Sequence, residues 1–254
     1  MQYGINQILL TYYYNLFYIM ANVISWEGVM KGALNMPGVK VDRAQFLASA
    51  FCPYGNADSL SDKRPSEIFS NQIIEKVAKG VVNNHSNKVT AISAVAGIPG
   101  GLAMLGTVPA DLVQYYWHFL VMAQKLAYVY GWPDLRDENN NIGEEGQAIM
   151  TMFVGVGFGV NEASAATREL AKMAAEHWAK KIPQMALTKT FWYPIVKKIA
   201  SWLGVKLTKD SMGKAVSKVI PLIGAAVSGT LTYATFKPMA NKLKKELSQT
   251  ALLR

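Results

Sequence analysis

Asp111, His118 and Lys125 stand seven residues apart, and no other charged side chain lies between them. Seven residues is close to two helical turns, so an acid, an imidazole and an amine would share one stripe of a helix. Acid–base chemistry uses these residue types, and histidine titrates nearest neutrality. Successive members are nevertheless about 10 Å apart in helical rise, too far for one to pass a proton to the next. A hydrolase built on this stripe would need Glu169 or His177 from another helix to close the gap. The simpler reading makes Asp111 a structural carboxylate. It follows Pro109 near a helix start, where free N–H groups favour a negative charge. Tyr115 and Met122 flank the stripe, so it is expected to be partly buried, with a lysine or histidine partner for Asp111. Asp111, His118, Lys125, Glu169 and His177 are therefore catalytic candidates, and none is assigned a catalytic role.

Other reaction chemistries find less. Gly224 and Gly229 have the outer spacing of a phosphate loop, but Thr230 stands at its lysine position. In Gly155-Val156-Gly157-Phe158-Gly159 the third glycine comes too soon for a dinucleotide turn. His85, His118 and His177 are scattered and no His-Glu-x-x-His helix exists, so each is expected to be a hydrogen-bonded structural residue, with no metal. Cys52 is the sole cysteine and cannot form a disulfide within the chain. There is no Gly-x-Ser-x-Gly elbow. The reading is non-enzymatic, with no cofactor.

The elements that must position these residues read as helices. The chain has 254 residues, 51% of them apolar and 17% charged, enough for a substantial core and too hydrophobic for general disorder. Leu112, Tyr116, Phe119, Ala123, Leu126 and Tyr130 step by four and three, which predicts a helix-packing seam over 111–130. Gly131 then supplies a cap, and Pro133 stops the helix. Ile74, Val77, Ala78, Val81 and Val82 predict a second helix, and Leu170, Met173, Ala174 and His177 a third. The 22 uncharged residues between Lys88 and Asp111 read as two short helices with an elbow at Gly97-Ile98-Pro99-Gly100-Gly101. Residues 51–66 are expected to be a loop, and residues 133–146 an exposed acidic one. No strand alternation or repeat of fixed period is evident. The fold class is all-α: a single helical domain of short, glycine-broken apolar helices around a central helix near residues 111–130. Residues 1–25 carry no charge and many tyrosines, and are expected to be a separate extension, a membrane or docking helix. Residues 26–254 form the domain.

Charge is unevenly spread. Residues 1–150 carry a net −2 and residues 151–254 a net +11. A one-sided basic surface attracts polyanions. Arg254 is the sole arginine after Arg168, and no nucleic-acid module is recognisable, which disfavours nucleic acid. Lys214 and Lys218 precede the uncharged run 219–236, and Lys237, Lys242, Lys244 and Lys245 follow it. Lysines bracketing an apolar segment fit anionic lipid headgroups. Gly97 with Gly101, Gly155 with Gly159, and Ala225 with Gly229 each make a small-x-x-x-small pair, which lets helices approach closely.

Gly97-Ile98-Pro99-Gly100-Gly101, Pro109-Ala110-Asp111-Leu112 and the block from Ala123-Gln124-Lys125-Leu126 through Tyr130-Gly131-Trp132-Pro133-Asp134 resemble the EcsC protein family. Leu34–Arg43 and Lys214–Gly224 extend the resemblance to about residues 26–247. Gly97, Gly100, Gly101, Pro109, Asp111, Trp132 and Pro133 are its structural motif positions. The resemblance implies a bacterial accessory of ABC transport, secretion or envelope maintenance, with ABC transporter subunits as partners. It carries no established activity and so no catalytic residue. The expected place is the cytoplasmic face of the membrane, or the cytoplasm. The function alternatives are an uncharacterised hydrolase and a soluble carrier of an apolar ligand.

Overall fold

In the computed structural model, which describes residues 25–55, 57–96, 110–176, 189–217 and 224–250, all regular structure of the described residues is helical. The α-helices are α1 (Trp26–Leu34), α2 (Arg43–Phe51), α3 (Asn71–Ala96), α4 (Ala110–Val129), α5 (Glu144–Phe158), α6 (Asn161–Glu176), α7 (Lys189–Ser217) and α8 (Gly224–Ser248). The expected loop over 51–66 contains three 3-10 turns, Cys52–Tyr54, Ala57–Ser61 and Pro65–Glu67. Of the N-terminal extension only Ser25 falls within the described residues. Its hydroxyl accepts from the Gly28 N–H at 3.0 Å and caps α1.

α4 is the central helix. All six residues of its four-three seam are buried, and the helix packs on α1, α3, α5 and α8. Tyr116 meets Trp26 of α1 edge-on at 5.3 Å, and Phe119 meets Phe236 of α8 at 5.9 Å. α8 lies against both α3 and α5, so α3, α4, α5 and α8 surround the main core. α6 and α7 cover the far side of α5.

Gly131 takes φ +88° just after α4. The Trp132 N–H donates to the Ala127 carbonyl at 2.9 Å and the Gly131 N–H to Tyr128 at 3.0 Å. These two bonds make the Schellman cap, which satisfies carbonyls that the helix end would leave open. Trp132 and Pro133 are buried, Trp132 edge-on to Phe153 at 5.2 Å.

Residues 133–146 are less exposed than their acidic composition predicts, and α5 already begins at Glu144. Leu135 and Ile142 are buried, and Asp134 is held by Arg136 at 2.7 Å, which also reaches Asp42 at 3.0 Å. Burying apolar side chains at both ends of the loop leaves only its tip, 138–141, in solvent. Arg43, itself buried, donates to the carbonyls of Trp132, Leu60, Ser61 and Lys63, fastening the Ala57–Ser61 turn to the end of α4.

The helix containing Ile74, Val77, Ala78, Val81 and Val82 is present with all five buried. It continues unbroken to Ala96, so the apolar segment after Lys88 starts as the end of a long helix. The elbow at 97–101 and Pro109 lie outside the described residues, as does His177. Leu170 and Ala174 of α6 are buried as expected.

Tight helix crossing is visible on α5, with one change of residue. A Cβ on Gly155 would stand 2.8 Å from the Ala163 Cβ and 3.0 Å from Ile199. Gly159, its expected partner, instead caps the helix at φ +82°. The second close approach belongs to Gly157, where a Cβ would meet Phe119 at 2.9 Å. The side chains around Ala225 and Gly229 lie outside the described residues. A paired test follows. Gly155→Ala should destabilise the protein by about 1–3 kcal/mol because its neighbours must move. Gly80→Ala, on an exposed turn of α3 with open space around it, should stabilise by about 0.5–1 kcal/mol. Urea midpoints of the two variants should therefore move in opposite directions.

Candidate functional site

The stripe on α4 acquires a partner from α3. Ile74, Ala78, Val81 and His85 step by four, three and four, which turns His85 toward α4. Its ring lies 5.7 Å from that of His118, edge to face. His118 is 2% exposed and His85 5%. Neither nitrogen of His118 has a hydrogen-bond partner, nor does Nδ1 of His85 or the indole nitrogen of Trp117. The expectation that each histidine is hydrogen-bonded thus fails for His118. The helical register places its imidazole among aromatic rings, with Trp117 at 4.5 Å.

Burial pushes the pKa of His118 down to about 4, with the charges of Lys88 and Lys125 adding to the effect. Burial likewise takes His85 down to about 3, helped by Lys125, His118 and Lys88. Lys125 is lowered by burial and by Lys88, and its ammonium stands 5.5 Å from the centre of the Phe46 ring. Both imidazoles are neutral at physiological pH, so neither is an imidazolium that could act as a general acid. A base of pKa near 4 is also poorly matched to proton abstraction at neutrality.

Of the other candidates, only Glu169 has a described side chain, and it does not reach this pair. Glu169 is exposed on α6 and pairs with Lys172 of its own helix at 2.7 Å. Asp111 lies on the first turn of α4 with its side chain outside the description, and His177 is outside it altogether. Among the described residues no group of three His, Cys, Asp or Glu could hold a metal ion.

The lysines divide into two kinds. Lys244 pairs with Glu75 at 2.5 Å, and Glu75 also accepts from the Tyr130 hydroxyl at 2.6 Å, which ties α3, α4 and α8 together. The Lys237 ammonium donates to Asn83. Lys242 and Lys245 are exposed. The Lys214 side chain and Lys218 lie outside the described residues.

α7 carries a feature that the sequence reading missed. Tyr193 (57% exposed), Trp202 (41%) and Val205 (56%) are three of the four exposed large apolar side chains among the described residues. Pro194, Lys197, Lys198 and Ser201 are exposed as well, so solvent reaches about half the circumference of α7, with Tyr193 and Trp202 at its opposite edges. Trp202 stacks edge-on to Phe158 at 5.4 Å, and the Lys206 ammonium stands 5.3 Å from the Phe158 ring centre. The Lys242 ammonium lies beside neighbouring Gly159, 3.1 Å from where a Cβ would be. Trp202, Phe158, Lys206 and Lys242 therefore gather where the end of α5 meets the middle of α7 and the second half of α8. A helical-period count over 198–205 would have shown part of its register, with Lys198, Trp202 and Val205 at steps of four and three on one face.

A half-open cleft of about 560 Å³ lies between α1, α5, α6 and α7. Met30, Ile149, Met152, Leu170, Val196 and Ala200 supply apolar walls, and Glu27, Glu144 and Glu145 are the charged residues lining it.

No helix of the described residues is long and apolar enough to cross a membrane. Comparison with family models, with curated proteins and with solved structures found no match to this chain.

Proposed function

We propose that this is a non-enzymatic helical protein that attaches to an anionic membrane surface through the lysine–aromatic patch on α7 and its neighbours. Its role would be the one that the EcsC resemblance implies, an accessory of transport, secretion or envelope maintenance beside ABC transporter subunits at the cytoplasmic face. The carrying observation is the exposure of Trp202 and Val205, three residues apart on α7, with Trp202 packed on Phe158 beside Lys206 and close to Lys242. Aromatic rings and lysines are the side chains favoured at a lipid headgroup boundary. Each lysine near an anionic surface contributes about 1 kcal/mol, fading over a Debye length of about 8 Å at physiological salt. Several such contacts give reversible attachment without a spanning helix. The apolar cleft supports a second reading, a carrier of an apolar ligand.

Vesicle flotation tests the membrane reading. The protein should float with phosphatidylglycerol vesicles, less so as salt rises, and stay behind with phosphatidylcholine alone. Replacing Lys197, Lys206, Lys242 and Lys245 with Gln, together with Trp202→Ala, should abolish flotation while leaving the circular dichroism unchanged. Lys244→Gln breaks the pair with Glu75 and should lower stability rather than flotation. Equal flotation on neutral vesicles would remove charge as the anchor, and no flotation on either would reject the reading.

A further inference from the structure

We infer that the cleft between α1, α5, α6 and α7 is the seat of the chain's own N-terminal segment. Residues 8–20 fold back over it as a helix and lay Leu9, Tyr12, Leu16 and Ile19 against its apolar walls. The inference takes up the cleft on which the carrier reading rests but fills it from within the chain, and it is independent of the lysine patch. Segment and wall are contiguous. Ser25 caps α1 in an extended conformation, and the residues that follow it, Trp26, Glu27 and Met30, line the cleft. Residues 21–24, with Asn22 as a turn residue, are enough for the reversal, since neighbouring helices are commonly joined by about 2–8 residues. So short a tether holds the segment at an effective concentration on the order of millimolar.

The segment's own sequence suits a half-open apolar groove. None of residues 1–24 is charged. Ile5, Leu9, Tyr12, Leu16 and Ile19 step by four and three, which is a helix-packing seam. Gln7, Thr11, Asn15, Tyr18 and Asn22 step by four, four, three and four along another side. A helix of this pattern is apolar over most of its girth, with one narrow polar stripe. A bilayer interior would strand the amides and hydroxyls of that stripe. A helix lying on a headgroup surface needs a polar face rich in lysine and arginine, and this one has neither. A groove covers the seam and leaves the stripe in water.

The cleft matches an occupant of that kind. Its volume of about 560 Å³ accepts side chains from one helix face rather than a whole helix. Met30, Ile149, Met152, Leu170 and Val196 offer apolar contact. The polar side chains within are already committed: the Trp26 indole N–H donates to the Thr151 hydroxyl at 2.9 Å, and that hydroxyl donates to the Gln147 carbonyl at 2.8 Å. Charges of both signs stand at the rim, Glu27 and Glu145 together with the Lys197 ammonium over the Tyr193 ring. Nothing there selects a charged occupant.

Photo-crosslinking of the full chain decides it. Benzoylphenylalanine is placed at Ala148 of α5 or Ala200 of α7, both on the cleft walls, and at exposed Asn84 of α3 as a control. Trypsin leaves residues 1–31 in one peptide, because Lys31 is the first basic residue, and fragment spectra locate the link within it. Irradiation without lipid should join the wall positions to residues 8–20 and leave Asn84 unlinked to them. A mixture of isotopically light and heavy protein should show the links within single chains. Leu16→Asp with Ile19→Asp should abolish them, and Asn15→Asp, on the polar stripe, should keep them, with circular dichroism confirming the fold of each variant. By freeing the cleft, the double variant should bind decyl maltoside, below its micelle concentration, at least about tenfold more tightly than the parent. No link to residues 8–20 from either wall position, links between chains, or links that survive the double variant would overturn the seat. Equal binding of decyl maltoside by parent and double variant would overturn it too, while leaving the carrier reading in place. Binding by neither would overturn the carrier reading whatever the links show.

Discussion

Acidification from pH 6.5 to 4.5 is expected to withdraw on the order of 5 kcal/mol of folding stability through His85 and His118 alone. An unfolded imidazole titrates near 6.5, whereas burial holds His118 at about 4 and His85 at about 3. Across that window the unfolded chain binds more protons than the folded one, so stability falls as pH falls, by about 1.4 kcal/mol per unit for each histidine. The contribution is fully present above pH 6.5 and levels off only below the folded values. The total is comparable with the whole stability of many domains. The carboxylates of Asp42, Glu67 and Glu75, which their partners hold below their usual values, add losses mainly below pH 4.5. Urea midpoints measured at pH 7.5 and 4.5 isolate the histidine part. His85→Phe with His118→Phe should flatten the dependence between those two values. An unchanged dependence in the double variant would show that the buried pair is not its source.

Truncating Phe119 to Ala should cost about 3–5 kcal/mol. The ring is fully buried at the middle of the central helix, edge-on to Phe236 and directly under Gly157 of α5. Its removal opens a cavity where α4, α5 and α8 meet, and rigid helices on three sides limit collapse into the space. Tyr233→Ala, on an exposed position of α8, should cost within about 0.5 kcal/mol. Equilibrium unfolding in urea should show the two midpoints well separated with similar slopes. Equal midpoints would remove α4 from the centre of the core.

Much of this fold was legible because helix periodicity survives in the sequence. The seam from Leu112 to Tyr130, the cap at Gly131 and the buried face of α3 all follow from local spacing and local turn chemistry. Long-range pairing is not written locally. The imidazole that meets His118 belongs to His85, on another helix, while Glu169, grouped with the stripe by residue type, points to solvent on α6. Charge boundaries also proved poor guides to helix boundaries. α8 passes unbroken from the apolar run into the lysine-rich segment, because lysine continues a helix well and its stem packs against neighbours. Lys244 consequently serves the core through Glu75. The cleft was invisible for a related reason: four helices contribute its walls, and no single spacing connects Met30, Met152, Leu170 and Val196.

Fractionation of cells making the full chain bears most directly on attachment to a membrane surface. At low salt the protein should sediment with membranes, and a high-salt or carbonate wash should release it, since the proposed attachment uses lysines and exposed aromatic residues and no helix of the described residues is long and apolar enough to cross a membrane. Recovery in the soluble fraction at low salt, or retention in the pellet after carbonate, would contradict the account.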